Sequence, residues 1–186
     1  KSEISGNASV SFGEGANVLE VEGSVTGQAT VSFGAGENQM YVGDNIDGLA
    51  QVQFNGGSNT LVVEGEIAQF AEISFNGDGD NTLETLEGGI AHGAHVTFGN
   101  GDNTLIVGEN IASGANIEFG TGSNTVSVSG DIASGFELDE ETKAAGPTLT
   151  FNDVAGSKNE LTVGGAILGW GAFEAGNIGI TFGDGD

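Results

Sequence analysis

The sequence has no cysteine, which excludes disulfides, thiolate-held zinc and a cysteine nucleophile. It has no arginine either, and its only lysines are Lys1, Lys143 and Lys158. Nucleic-acid binding depends on Lys and Arg neutralising phosphate, so no nucleic-acid partner is expected. An anionic lipid surface is disfavoured for the same reason. No apolar run approaches the length of a membrane span. Proline occurs once, so the 35 glycines do not belong to a collagen-like repeat.

What is present is acid, glycine and a moderate apolar content. Asp and Glu number 27, the net charge is −24, and 37% of the 186 residues are apolar, too many for a disordered linker. Strong acidity favours solubility and attracts counter-ions, and says little about fold.

The decisive feature is an internal period. Aligned on a β-branched or leucine residue, any residue, then Phe, the copies start at Val10, Val31, Val52, Ile73, Val96, Ile117, Leu149 and Ile180. Their spacings are 21, 21, 21, 23, 21, 32 and 31, so the unit is 21 residues with insertions in the fourth, sixth and seventh copies. Phe recurs at Phe12, Phe33, Phe54, Phe75, Phe98, Phe119, Phe151 and Phe182. Asn recurs at Asn17, Asn38, Asn59, Asn81, Asn103, Asn124 and Asn159. A bulky apolar residue follows each Asn by two places, and a β-branched residue by eight, with Ile90 displaced by one.

Within a unit, "VTF" and "NTLIV" alternate in the manner of strands, and "GNGD" and "GEN" are corner residues that tolerate positive φ. Helix-period patterning is absent from the unit. Each unit reads as two or three short strands making one turn about a common axis, paired in parallel with the copies above and below. One rung buries too little to offset its own ordering, so stability must come from stacking. The fold expected is all-β: a parallel β-solenoid (β-helix) of about eight 21-residue rungs over residues 1–186, with loop insertions in rungs 6 and 7. Inward Phe residues should form a column, and the corner Asn residues an amide ladder of structural rather than binding character.

The insertions are expected at residues 136–148, where Asp139 caps a short helix stopped by Gly146 and Pro147, and at residues 168–179 around Trp170 and Phe173. Loops on repeat scaffolds are where partners tend to bind. Trp170 with Phe173 reads either as a contact patch or as a flap packed on the solenoid side.

Four chemistries bear weighing. "FNGDGDN", "FGNGDN" and "FGDGD" resemble fragments of the calcium-binding nonapeptide of RTX β-rolls, which makes Asp78, Asp80, Asp102, Asp184 and Asp186 candidate Ca²⁺ ligands. The fragments come once per unit rather than in tandem, and Asn stands at the ligand-like Asp position in the seven complete units, so diffuse screening by cations is the leading expectation. No acid pair is peculiar to one rung, and no nucleophile is specified, so no catalytic residue, no enzymatic activity and no required cofactor are expected. His92 and His95 would need further ligands to hold zinc, and read better as solvated loop residues. An ice-binding row is broken: Thr60, Thr82, Thr104 and Thr125 give way to Val18, Gln39 and Glu160.

The units from Val52 ("VQFNGGSNTLVVEGEIAQFAE") and Val96 ("VTFGNGDNTLIVGENIASGAN") resemble the glycine-rich β-strand repeats of large secreted bacterial surface proteins. Autotransporter passengers, filamentous-haemagglutinin-like exoproteins and RTX-type adhesins share this style. The resemblance implies an extracellular or bacterial cell-surface location, a fibrous or stalk-like shape, and a role in adhesion, matrix or coating. The partners it implies are further repeats or copies of the same protein, end to end or side by side, and host or cell-surface carbohydrate or protein. The chain opens and closes in mid-unit, with "KSEISGNAS" and "ITFGDGD", which predicts an array longer than this chain or rungs completed by a neighbouring copy.

Overall fold

The computed structural model describes residues 1–68, 70–133, 146–152, 155–168 and 179–181. Their strands wind into a parallel β-solenoid. One sheet of eight strands contains β1 (Ser9–Ser11), β3 (Thr30–Phe33), β5 (Gln51–Phe54), β7 (Glu72–Phe75), β9 (His95–Phe98), β11 (Asn116–Phe119), β14 (Thr148–Phe151) and β17 (Gly179–Thr181), in that order. A second, of seven, runs through β2 (Val18–Val21), β4 (Gln39–Val42), β6 (Thr60–Val63), β8 (Thr82–Thr85), β10 (Thr104–Val107), β12 (Thr125–Val128) and β15 (Glu160–Val163). The third side is barely a sheet. Single-residue parallel bridges link Ile4, Val25, Ile46, Ile67, Ile90, Ile111 and Ile132 in succession, and only β13 (Ile132–Ala133) and β16 (Ile167–Leu168) pair as strands.

The alternation read from the sequence places side chains as a period of two requires. In β5 the residues Val52 and Phe54 are buried while Gln51 and Gln53 face outward, and the same in-and-out pattern holds through β3, β7, β9 and β11. The core is one continuous column of Val, Ile, Leu, Ala and Phe, with Met40, shared by the turns.

The expectation of about eight rungs is an overcount. Six turns follow one another at close to 21 residues between Ser9 and Ala133. A seventh, built by β14, β15 and β16, joins across longer connections, and β17 pairs onto β14 without a described partner strand in the second sheet. The fourth unit shows how two extra residues are absorbed. Asn81 falls six places after Phe75 instead of five, and Ile90 nine after Asn81 instead of eight, so both additions sit in corners. The strands keep register, with Phe75 opposite Phe98 and Leu83 opposite Leu105. At the second of these corners Thr85 occupies a core position, and its hydroxyl donates to the Gly88 carbonyl (2.7 Å) and accepts from the Gly108 amide (3.1 Å).

Glycine is required where corners stack most closely. Gly57 has φ of +74°, and a Cβ there would collide with the carbonyl of Gly36 one rung away. No described residue is helical. The expected helix beginning at Asp139, along with Trp170 and Phe173, lies outside the described residues; of the two insertions only Gly146, Pro147, Thr148, Leu168 and Gly179 are described.

Candidate functional site

The most organised polar feature is the first corner, between the two sheets. From Asn17 to Asn159, each corner Asn donates from both its backbone N–H and its Nδ2 to the Oδ1 of the Asn in the next turn. The Nδ2–Oδ1 distances are 2.7 to 3.1 Å and the N–Oδ1 distances 2.8 to 3.2 Å. The second Nδ2 hydrogen reaches the carbonyl two residues earlier, as in Asn59 to Gly57 (2.8 Å). Asn38, Asn59, Asn81, Asn103 and Asn124 are fully buried, so each amide is satisfied inside the protein. Aspartate could not replace them: it supplies no donor, and ionised carboxylates stacked one rung apart would repel.

A second set of ladders runs outside the first with opposite polarity. The amides of Asp80, Asp102 and Ser123 donate to the side chains of Ser58 (3.1 Å), Asp80 (2.7 Å) and Asp102 (2.7 Å), each one turn earlier. Asn100 Nδ2 donates to Asp78 Oδ1 (2.8 Å), and Asn100 Oδ1 accepts from the Thr121 amide (3.1 Å). The candidate calcium ligands Asp78, Asp80 and Asp102 are therefore exposed corner residues already accepting hydrogen bonds from the following rung. Among the described residues no three His, Cys, Asp or Glu side chains are grouped to hold a metal ion. Asp184 and Asp186 lie outside the described residues.

The aromatic column lies inside the same corner. Phe12, Phe33, Phe54, Phe75, Phe98, Phe119 and Phe151 stack with ring centroids 4.7 to 5.0 Å apart and planes within 2° to 6° of parallel. That spacing is the strand separation, so the rings follow the backbone ladder. Phe182 lies outside the described residues.

The outer faces carry the residues that differ between units, the broken Thr row among them. In the second sheet Thr60, Thr82, Thr104 and Thr125 stand in register over four turns, beside Val62, Glu84, Ile106 and Ser127. Tyr41 shares that face, and its phenol is pushed up to about 12, chiefly by a hydrogen bond with Glu64, then by desolvation and by the charges of Glu64, Glu20 and Glu87. The two histidines separate. His92 sits at a corner, with Nδ1 3.1 Å from the Ser113 carbonyl and the Phe70 ring edge-on at 5.8 Å. His95 lies on the first sheet, with Nε2 3.0 Å from Thr97 Oγ1 and Nδ1 3.1 Å from Asn116 Nδ2. Asn116 stands in the phase of His95 one unit later, so comparing outward phases across units is the signal that would have paired them.

Comparison with protein families, curated proteins and solved structures finds no match to this chain.

Proposed function

We propose that the chain is a structural segment of an extracellular or bacterial cell-surface protein, serving as a rod, fibre, sheath or adhesin stalk. The observation that carries this reading is the unbroken Asn ladder from Asn17 to Asn159, flanked by the Phe column from Phe12 to Phe151. Both features connect each turn to the next, and neither gathers unlike residues into one place as a catalytic centre would. Length then grows by about 4.8 Å per rung. The glycine-rich units resemble the repeats of autotransporter passengers, filamentous-haemagglutinin-like exoproteins and RTX-type adhesins, and this supports a place at the cell surface. The partners in this reading are further repeats or copies of the same protein, with carbohydrate or protein of another surface met at the inserted loops.

The reading assigns no reaction and no required cofactor to the chain. Antibody raised against it should label intact cells that make the protein, whereas labelling only after permeabilisation overturns the surface assignment. Electron micrographs of concentrated protein should show rods or end-to-end fibres; dispersed, compact particles would count against the mechanical role. The calcium-stabilised adhesin reading separates by melting. At fixed ionic strength, removing Ca²⁺ with EDTA should leave the transition unmoved if the hydrogen-bonded corners suffice, and lower it sharply if Asp78, Asp80 and Asp102 hold the ion.

A further inference from the structure

The His95 network on the outer face of the first sheet ties three turns together through unlike side chains, one of them an imidazole. Asn116 is its centre. One Nδ2 hydrogen goes to Glu118 Oε1 (2.8 Å), the other points at His95 Nδ1 (3.1 Å), and Oδ1 accepts from the Thr148 hydroxyl. The Glu118 carboxylate oxygen fixes this orientation, because a flipped amide would set oxygen against oxygen. Nδ1 of His95 must then accept, which leaves the ring proton on Nε2, where it donates to Thr97 Oγ1 (3.0 Å). The arrangement is complete only for a neutral imidazole. A proton on Nδ1 would place two donors against each other, and His95 and Glu118 would then demand opposite orientations of the same amide.

Thr148 opens β14, the strand that resumes the sheet after residues 134–145, and its amide donates to the Ala115 carbonyl (2.9 Å). We propose that protonation of His95 breaks the Asn116 bridge and loosens the start of β14, making this face a pH-sensitive latch between the sixth and seventh turns. The charged and titratable groups packed around His95 are Glu72 on β7, directly opposite in register, Glu118 on β11, and His92 in the preceding corner. The described residues of β14 bring none.

NMR of the full chain between pH 8 and pH 5 tests this. The His95 nitrogens should report a neutral ring with its proton on Nε2 at the upper end. The Asn116 side-chain amide should shift with the same midpoint as His95. Exchange of the Thr148 amide, corrected for intrinsic rate, should rise roughly three- to tenfold on acidification, the range expected for losing one side-chain hydrogen bond. His95→Gln and Glu118→Gln should each abolish that extra rise, and His92→Gln should keep it. An Asn116 amide that stays still while His95 titrates overturns the proposal, as does an equal rise in Thr148 exchange in His95→Gln.

Discussion

Side chains here are chosen for what they do to the identical position one rung away. Asn81 shows the consequence. Its Oδ1 accepts from both the backbone and the side chain of Asn59, and its Nδ2 donates to Gly79 and Asn103. In Asn81→Ala the buried Asn59 amide loses its acceptor, at a cost of about 2–4 kcal/mol including the small void. Asn17, at the exposed first turn, should cost less than about 1 kcal/mol as Asn17→Ala, since water replaces what is lost. Chemical denaturation of the two variants gives the contrast, and equal losses would mean that the ladder is not what the buried amides are for. Tyr41 offers a second test, because it is the sole tyrosine and its ionisation can be followed alone by tyrosinate absorbance. Its phenol is raised to about 12, so the neutral form is favoured in the fold. That preference contributes fully below the ordinary value of 10.0 and is lost as pH climbs from there towards about 12. Glu64→Gln should move the midpoint down towards the ordinary value, since Glu64 provides the leading cause, and salt should move it the same way by screening the charges around this half-buried ring.

At the scale of the element, strands are interchangeable and corners are not. The third corner changes its turn partway along the solenoid. Gly6, Gly27 and Gly48 take positive φ two places after Ile4, Val25 and Ile46, whereas Phe70, Gly93 and Gly114 take it three places after Ile67, Ile90 and Ile111. Phe70 is thus the first residue of the new turn and the one non-glycine with positive φ among the described residues, at +68°. Its ring covers Gly93 in the next turn and meets His92 edge-on, which explains why Gly93 has no side chain and partly offsets the strain. Phe70→Gly trades ring contact for relaxed backbone, and its stability should stay within about 1 kcal/mol of the parent. Phe70→Val loses the ring and keeps a β-branched residue in the left-handed region, so it should be less stable than Phe70→Gly by roughly 1–2 kcal/mol. Thermal melts of the pair decide it; equal stability would mean that the corner relaxes to the other turn. The sequence betrayed the corners as glycine-rich but not which turn each one makes, because both patterns satisfy the same 21-residue spacing.

Across the whole molecule, legibility followed periodicity. The Phe and Asn columns could be read because identity repeats at a fixed interval and only parallel stacking brings such positions together. The rung count went astray because a Val-x-Phe signal marks where a turn starts, and a turn also needs partners in the second sheet, which β17 lacks among the described residues. The His95–Asn116–Glu118 network escaped because it is built from differences between units, which a search for sameness discards. If stability is a sum over neighbouring rungs, the interval itself is the unit of tolerance. Deleting residues 31–51 removes one complete period and joins Thr30 to Val52, so that β1 meets a TVQF strand of unchanged phase and Phe12 stacks on Phe54. That variant should fold cooperatively into a rod about 4.8 Å shorter, measurable by small-angle scattering, with stability lower by roughly one inter-rung interface. Deleting residues 31–40 removes less of the chain but brings Tyr41 and Val42 where Val31 and Ser32 stood, so the inward Phe of that turn is lost and its Asn no longer meets Asn17. The smaller deletion should be the more damaging, by exposure of the first turn and a broadened melt. If the two deletions melt alike, the ladders are not what holds successive turns together.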